Sequence, residues 1–362
     1  MKKLSNLNGD FEYELLDENQ QVADLREKLV VLYSSPFADI LWWELYDPSL
    51  TNNGYHKLFY YEQNELKHII LFNYSAKAQK KIFVVNEKIK ISIDSIENIC
   101  YILFYEFAII EQIIFEKVFE SDQKQSPKMI FDKTSNDVII PNLPNNMDAY
   151  MKSLGSSTRK KINLMTNRIA KDFPDFKVYF YEKSDILYEQ IEKVVLLNRN
   201  RMKTKGEISL LNDTECKIRY QYASTSGFGF LCACEIDGKI IGGTINSVIR
   251  EHAYMHIIAH DNSYNKYSVG QIALIHATKY LIEEKNIKYY HLLGGTLEYK
   301  FRHGGINHEL YTIRVFRNND IFYFFRKIMS VIRTKSKNNK TIICIYTKLR
   351  KIKIFYILNY RR

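Results

Sequence analysis

The chain has 362 residues, enough for one or two domains with a substantial buried core, and its 46% apolar and 26% charged residues exclude a fibrous or low-complexity protein. Five Cys residues, odd in number and scattered, exclude a disulfide framework and favour a reducing cytoplasm. The formal charge of +11 belongs to the carboxyl-terminal end, because residues 1–319 carry equal numbers of basic and acidic residues, so a uniformly basic body is excluded.

The sequence predicts neither a secretory signal nor a membrane-spanning helix. The first residues, MKKLSNLNGDFEYELL, have a basic start without an apolar run behind it, so no secretory signal is expected. The longest apolar stretch, 99–114, is interrupted by Glu106, Glu111 and Gln112, well short of the roughly 20 apolar residues that cross a bilayer. We therefore expect a cytoplasmic protein.

The first part of the chain, to about residue 133, predicts a mixture of helices and strands. Ser35 and Pro36 open a helical pattern that Asp47 and Pro48 end, and Trp42 and Trp43 within it are expected to be core residues. Strands follow at 57–62, 66–74 and 81–85, then a helix from Asp94 and a strand at 112–119.

A polar segment with three prolines, 121–146, predicts a linker that contains one short strand at 137–140. After it, Asn145, Asn146 or Asp148 can cap a short helix, and Ser156 or Ser157 can cap a second that runs to Lys171. A strand at 177–181, helices at 185–202 and 213–223, and a hairpin at 228–249 that turns at Asp237-Gly238 follow.

The stretch 251–305 predicts strand, loop, helix, strand and glycine turn in quick succession. The strand is 253–259, the polar loop 261–268, the helix starts near Gly270, and the second strand, 288–293, ends at Gly294 and Gly295. This order makes a βαβ unit, and in open α/β sheets ligands bind beyond the carboxyl ends of such strands. A glycine at a helix start lets backbone amides approach a phosphate, so Val269, Gly270 and Gln271 are candidates to hold a pyrophosphate.

Three segments resemble the GNAT acyltransferase superfamily, in the branch that includes CelD-like exopolysaccharide acetyltransferases and Fem-type aminoacyl transferases of peptidoglycan. They are KYSVG at 266–270, LGGTLEYKFRHGG at 293–305 and LGSSTRKKINLMTNRIAKDF at 154–173. The resemblance extends loosely over residues 10–317. The phosphate loop departs from the usual GNAT pattern, since Gly270 is the one glycine it keeps.

The resemblance implies an α/β (α+β) fold with two tandem GNAT-like domains, each on a mixed central sheet. It implies a degenerate first domain at 1–133, a catalytic domain at 134–318 and a basic aromatic tail at 319–362. An acyl-CoA, with acetyl-CoA favoured, is the implied co-substrate, without a metal. Its expected contacts are Ile258, Ala259, Tyr267, Ser268, Val269, Gly270 and Gln271.

Transfer of an acyl group to an amine needs a proton for the departing thiolate and an acceptor for the amine's proton. Tyr299 is the candidate general acid, and His260 or Asp261 is the candidate base. Lys300 belongs to the family's glycine turn and is expected to bind an anionic part of the acceptor or to stabilise developing charge. The expected acceptor site also includes Arg159, Arg302, Gly294 and Gly295.

The sequence supports neither a metal site nor a serine hydrolase. His256 and His260 are four residues apart, but on a strand they would share a face about 13 Å apart, too far to bind one metal. Cys232 and Cys234 are expected to be core residues. A GxSxG nucleophile motif does not occur.

Three functions stay open at this point. The first is acyl-CoA-dependent acylation of an amino sugar, or of a lipid-linked glycan precursor, in bacterial cell-surface polysaccharide synthesis. The second is Fem-type transfer from aminoacyl-tRNA to a peptidoglycan precursor, and the third is non-catalytic binding at a membrane surface. Residues 320–362 hold twelve Lys and Arg against one acid, interleaved with aromatic and aliphatic residues, and this tail is read as an anchor on anionic lipid at the inner face of the cytoplasmic membrane, as a structural element or as an RNA contact.

Overall fold

The computed structural model describes residues 1–6, 9–47, 55–75, 80–119 and 128–318. The chain forms two compact units. The first contains Met1–Tyr33, Ser49–Ser135 and the residues from Glu309 onward, and the second contains Ser34–Pro48 and Asn136–His308. The short segment Ser34–Pro48 thus belongs to the second unit, although it lies in the amino-terminal half of the sequence.

Strands and helices alternate along the described chain. The strands are β1 (Lys2–Asn6), β2 (Gly9–Leu16), β3 (His56–Glu62), β4 (Glu65–Ser75), β5 (Lys81–Val84), β6 (Gln112–Phe119), β7 (Met129–Ile140), β8 (Lys177–Glu182), β9 (Gly229–Ile236), β10 (Lys239–Ile249), β11 (His252–His260), β12 (Tyr289–His291) and β13 (Ile306–Phe316). The helices are α1 (Leu25–Tyr33), α2 (Ile40–Tyr46), α3 (Ile93–Glu106), α4 (Met147–Ser153), α5 (Ser156–Asp172), α6 (Tyr188–Thr204), α7 (Asp213–Thr225), α8 (Val269–Glu283) and α9 (Glu298–Arg302).

The first unit is a mixed sheet with the strand order β1-β2-β3-β4-β5-β6-β13. Helix α3 connects β5 to β6, which pair in parallel from Lys81–Gln112 to Val84–Phe115, over the whole length of β5. Ser92 caps α3 by accepting a hydrogen bond from the Ser95 amide, and the apolar face of the helix is fully buried.

The second unit is a mixed sheet with the order β7-β12-β11-β10-β9-β8. The predicted hairpin is present, because Asp237 and Gly238 both adopt the positive φ angles that a two-residue turn between β9 and β10 requires. Helix α8 connects β11 to β12, which pair in parallel. The central strands have buried residues on both faces, with α8 against one face and α6 against the other.

The same order of elements occurs twice along the chain. A strand, two helices, three antiparallel strands, a crossover helix and a parallel strand describe both β2 to β6 and β8 to β12. The predicted tandem arrangement and mixed sheets are therefore confirmed.

Several local predictions need correction. The helical pattern after Ser35 is interrupted at Asp39, whose carboxylate caps α2, so a 3₁₀ turn at Pro36–Ala38 precedes the helix. Part of the predicted linker is strand, since β7 begins at Met129. Helices α1 and α9 and strands β1, β2 and β13 were not predicted from the sequence.

Trp42 is confirmed as a core residue, since it is 4% exposed, whereas Trp43 is half-buried against the same cluster. Cys232 and Cys234 are also buried, as predicted. The basic tail at 319–362 lies outside the described residues. In the described part of the chain, no helix combines the length and the apolar character needed to cross a membrane.

Candidate active site

The two parallel strands of the second unit separate partway along their length. β11 pairs with β12 at His252–Tyr289, Ala253–Tyr290 and Tyr254–His291, and the ladder ends there although β11 continues to His260. The carboxyl-terminal half of β11 therefore has its pairing with β10 but no recorded partner on the β12 side among the described residues. A linear ligand with amide groups would find unpaired strand backbone in this opening.

A β-bulge lies at the start of the opening. The register between β10 and β11 shifts after Ile245, so that His256 has no partner on β10. His256 stacks on Trp42 and hydrogen-bonds Ser247, whereas Ile257 packs in the core beneath α6. The prediction that His256 and His260 share a face is thus wrong, because the inserted residue reverses the alternation and turns His260 toward α8.

Helix α8 begins at the far end of the opening. Ser268, at its N-cap, has a left-handed backbone with φ 54° and ψ 44°, and its carbonyl accepts hydrogen bonds from the amides of Gln271 and Ile272. The amides of Val269 and Gly270 lie in the first turn, where amides have no acceptor within the helix and the helix dipole is positive. Of the three predicted phosphate-binding amides, that of Gln271 is used within the turn.

Gly270 is required by close packing. A Cβ at this position would lie 2.9 Å from Nδ1 of His260 and 3.7 Å from Cγ1 of Ile258. The predicted contacts Ile258, His260 and Gly270 therefore meet at one place. Val269 is fully buried and can offer a ligand its backbone alone.

His260 is held as a neutral imidazole. Its Nε2 lies 2.9 Å from Oδ1 of Asn265, which fixes the hydrogen on Nε2 and leaves the lone pair on Nδ1. Nδ1 is buried without a hydrogen-bond partner. Burial is the main cause that lowers the pKa of His260, and the positive charges of Arg201 and Lys205 lower it further, while the bond with Asn265 and the charge of Asp261 act in the opposite direction.

Asp261 is a poor candidate for the base. Its Oδ1 accepts hydrogen bonds from the Ser263 amide at 2.9 Å and the Ser263 hydroxyl at 2.7 Å, because Asp261 caps a 3₁₀ turn at Asn262–Tyr267. The hydroxyl bond is the main cause that lowers the pKa of Asp261. A carboxylate so stabilised attracts a proton weakly.

Tyr299 lies on α9, half-buried against the core under α8. Burial raises the pKa of its phenol to about 12, while the charge of Arg201 acts in the opposite direction. The phenol therefore keeps its proton at neutral pH, as a general acid must. Arg201, near the end of α6, influences both Tyr299 and His260, and sequence reasoning did not identify it.

Lys300 is bound to its own glycine turn. The residue is 3% exposed, and its Nζ donates to the carbonyls of Leu292, Leu293 and Gly294 at 2.7, 2.9 and 2.5 Å. These three bonds use all the hydrogens of the ammonium. The expectation that Lys300 binds the acceptor is corrected accordingly, because the ammonium holds the turn after β12.

The turn itself presents backbone to solvent. Gly294 and Gly295 are exposed, Gly295 has φ of 91°, and its amide donates to Oδ1 of Asn136 at 3.0 Å. Leu293 also has a positive φ, 56°, which is unusual for a branched residue. The three donors of Lys300 provide the interactions that hold this backbone.

Four other predicted contacts have structural partners. The Tyr267 hydroxyl donates to Asp172 at 2.7 Å, and Arg159 donates to the carbonyls of Lys152 and Leu154. Arg302 pairs with Glu298 at 2.5 Å. Ala259 faces the core under α6, away from the opening.

A buried histidine follows Tyr299 by one helical turn. His303 is 0% exposed and neither ring nitrogen has a hydrogen-bond partner. Burial lowers the pKa of His303 to about 4, and the charge of Lys161 lowers it further. The backbone around it is fixed, since its amide donates to Tyr299 and its carbonyl accepts from the Tyr150 hydroxyl.

Sequence reasoning also missed a chain of buried polar groups beside the parallel strands. Nδ1 of His291 donates to Asp137 at 2.8 Å, and Nε2 of His291 lies 2.9 Å from Nδ1 of His252. Asp137 is 0% exposed and His291 is 3% exposed. In the described part of the chain, no group of three or more His, Cys, Asp or Glu side chains is arranged to hold a metal ion.

Comparison with known proteins shows a similar domain and a similar fold. Residues 157–301 match the family model of the acetyltransferase (GNAT) domain. A conserved protein of unknown function from Bacteroides thetaiotaomicron superposes with a TM-score of 0.54 at 12% identity, over 84% of this chain and 100% of that chain. FemX superposes with a TM-score of 0.55 at 12% identity, over 86% of this chain and 97% of that chain.

A search of curated protein sequences found no significant match. At 12% identity the structural likeness shows the fold alone. Residues 157–301 are thus similar to the acetyltransferase (GNAT) domain, and the fold of the chain is similar to the Fem-like tandem form of that superfamily. The matched domain is of the N-acyltransferase class.

Proposed function

We propose that the chain transfers an acyl group, with acetyl favoured, from acyl-CoA to the amine of an amino sugar or of a lipid-linked glycan precursor in bacterial cell-surface polysaccharide synthesis. The observation that carries this proposal is the opening between β11 and β12, which ends at the first turn of α8. A thioester ligand with a pyrophosphate and an amide-containing arm has the chemistry that this opening can bind.

The residues at the opening fit such a ligand. The amides of Val269 and Gly270 would face the pyrophosphate, and the absence of a Cβ at Gly270 lets backbone and ligand approach closely. Arg201 and Lys205, which act on His260 electrostatically, supply positive charge at the same end. The co-substrate supplies an activated acyl group, and the chain supplies orientation and protons.

Tyr299 acts as the general acid in the proposed reaction. The amine nitrogen attacks the thioester carbonyl, the carbon–sulfur bond breaks, and the phenol hydrogen of Tyr299 goes to the thiolate. The proton released by the amine goes to solvent through water or to Nδ1 of His260, whose lone pair is available. His260 is preferred to Asp261, because Asp261 is stabilised as an anion.

The two halves of the tandem fold are assigned different roles in this proposal. β5 pairs with β6 over its whole length, so within the described residues of the first half these two strands leave no opening equivalent to that between β11 and β12. We therefore assign catalysis to 134–318 and a supporting role to 1–133. We place the enzyme in the cytoplasm, at the inner face of the membrane, with the basic tail 319–362 as an anchor on anionic lipid.

The second candidate is Fem-type transfer from aminoacyl-tRNA to a peptidoglycan precursor. It is favoured by the superposition on FemX, which covers 97% of that chain. A cluster of exposed cations, Arg168, Lys203, Lys205 and Lys266, would suit a polyanionic donor equally well. The two candidates differ in the acyl donor and share the opening.

Titration calorimetry with acetyl-CoA, CoA and a charged tRNA separates the candidates. Binding of acetyl-CoA with micromolar affinity, and acetylation of an amino sugar detected by mass, would support the first. Binding of aminoacyl-tRNA without binding of acetyl-CoA would support the second. Absence of both would overturn the acyltransferase proposals.

A further inference from the structure

The loop between α6 and α7 presents two aliphatic side chains to solvent. Ile208 is 90% exposed and Leu210 is 88% exposed, the largest values among the exposed large hydrophobic residues of the described chain. Burial of either side chain would be favourable in free energy, and a single protein chain normally hides such residues. Their exposure therefore needs a reason.

The loop holds these side chains outward through its own hydrogen bonds. Ser209, between the two, points inward and donates from Oγ to Oδ1 of Asn198 at 2.9 Å. The Leu211 amide donates to Oγ of Ser209 at 3.2 Å, and Nε of Arg199 donates to the Leu211 carbonyl at 2.5 Å. Alternation along this anchored segment directs Ile208 and Leu210 away from the protein.

Positive charge adjoins the two aliphatic residues. Lys203 and Lys205 are exposed and form no ion pair within the described residues. Glu207 is the one acidic residue between positions 201 and 210, which also contain Arg201. Exposed aliphatic side chains beside unpaired cations have the composition of a surface that binds anionic lipid.

The loop lies beside the candidate active site. Thr204, at the end of α6, accepts a hydrogen bond from Asn262 at 2.9 Å, and Asn262 belongs to the turn that precedes α8. Arg201, one turn earlier, acts electrostatically on both His260 and Tyr299. A surface that contacts this loop would therefore face the mouth of the opening.

We propose that residues 203–210 form a membrane-docking loop, which inserts Ile208 and Leu210 into an anionic lipid surface while Lys203 and Lys205 contact the headgroups. The proposed loop does not include any residue of the tail at 319–362. If the proposed acyl transfer holds, docking would present the opening to an acceptor carried on a lipid; the docking itself does not depend on that reaction.

A lipid surface suits these residues better than other occupants. A nucleic acid would use the cations and leave the aliphatic side chains in water. A protein partner would need a wider apolar patch than two neighbouring side chains provide. Tests of the loop must separate it from the tail, which carries its own basic and apolar residues.

Depth-dependent fluorescence on the full chain makes this separation. Ile208→Trp is compared with Leu187→Trp, because Leu187 is also exposed, at 55%, but precedes α6 and lies about 25 Å from its other end. Vesicles contain phosphatidylglycerol and phosphatidylcholine, with and without brominated acyl chains. We expect a blue shift and quenching at position 208, relative to the parent, and neither change at position 187.

Partitioning measurements complete the test. Ile208→Ser with Leu210→Ser should lower binding to anionic vesicles at least tenfold, and each of Lys203→Gln and Lys205→Gln about fivefold, with Leu187→Ser unchanged. If the protein binds vesicles but the tryptophan at position 208 is not quenched, the membrane contact lies elsewhere and the proposed docking loop is wrong. Failure of the parent protein to bind anionic vesicles would also overturn the proposal. Acetyl-CoA titration of the Ile208→Ser, Leu210→Ser double variant should be unchanged, so a failed docking test leaves the proposed reaction standing.

Discussion

Gly270 and His260 are packed so closely that a Cβ at position 270 would lie 2.9 Å from Nδ1 of the imidazole. This contact joins the first turn of α8 to the end of β11, where the two sides of the candidate co-substrate site meet. It is also a contact that a small substitution can test, because the closest atom belongs to a ring side chain and not to backbone.

Gly270→Glu should abolish the stabilisation that acetyl-CoA gives to the folded protein, because it places bulk and negative charge where the pyrophosphate is proposed to bind. The parent should show a higher midpoint of thermal unfolding at millimolar acetyl-CoA. Gly155→Ala is the control, since a Cβ there meets nothing within 4 Å. If acetyl-CoA raised the midpoint of thermal unfolding of Gly270→Glu as much as that of the parent, the first turn of α8 would not be part of the binding site.

Gly270→Ala should lower the free energy of unfolding by about 1–3 kcal/mol, because the added methyl group forces the His260 ring to move. In a His260→Ala background the same substitution should cost much less, since the obstructing ring is absent. Chemical denaturation of the four proteins in this double-mutant cycle measures the coupling. Additive effects would show that the two residues do not compete for space.

Tyr299→Phe should lower kcat by about 10²–10⁴ while leaving CoA binding intact, because the ring remains and the transferable proton is lost. Steady-state kinetics with an amine acceptor, together with calorimetric titration of CoA, checks both parts. Tyr280→Phe on α8 provides a control, since its hydroxyl donates to Glu182 on β8. An unchanged kcat in Tyr299→Phe removes this phenol from the mechanism.

Lys300→Met should destabilise the folded protein by about 1–3 kcal/mol, because the carbonyls of Leu292, Leu293 and Gly294 lose a shared donor. Arg302→Met, two residues later, should cost less than about 1 kcal/mol, since its ion pair with Glu298 is exposed. Urea denaturation compares the two. Equal costs would indicate that solvent already satisfies the turn.

The free energy of unfolding should fall as the pH falls from about 6.5 to 4. The pKa of His303 is about 4 in the folded protein against an ordinary 6.5, so between these values the unfolded chain binds the proton and is favoured. The contribution of His303 to the free energy of unfolding is fully present above pH 6.5 and is lost as the pH falls to 4. The difference between the two pKa values corresponds to about 3 kcal/mol.

His303→Leu should remove that part of the acid sensitivity and leave stability near neutral pH almost unchanged, because the native ring makes no hydrogen bond through its nitrogens. His68, in the first unit, also has a pKa lowered to about 4 by burial, so part of the slope should survive. Denaturant titrations from pH 4 to 8 give the comparison. An identical pH profile in His303→Leu contradicts the assignment.

Much of the second unit could be predicted from the sequence because its signals are local. The Asp237-Gly238 turn needs two residues that tolerate positive φ, and the cap of α4 needs the side-chain oxygen of Asn146, which accepts from the Ala149 amide. Such signals depend on neighbours within a few positions.

The errors come from contacts that the sequence does not display. Lys300 was assigned to a ligand because a lysine at this glycine turn is part of the family resemblance. The sequence does not show that α9 brings its ammonium within reach of three carbonyls of the turn. Arg201 was missed because it precedes Tyr299 by almost a hundred residues. The extra residue in β11 was missed because the strand has strand-forming residues on both faces whether or not it contains a bulge. The sequence pattern therefore does not distinguish the two cases.

The single inserted residue at His256 makes this protein more sensitive to a change in chain length than to most changes of side chain. Deleting one codon between 255 and 257 would restore regular alternation and exchange the two sides of everything that follows in β11. Ala259 would then be presented to α8, and the imidazole of His260 to the apolar core under α6. Homologous sequences should therefore tolerate varied residues at this position and no gap.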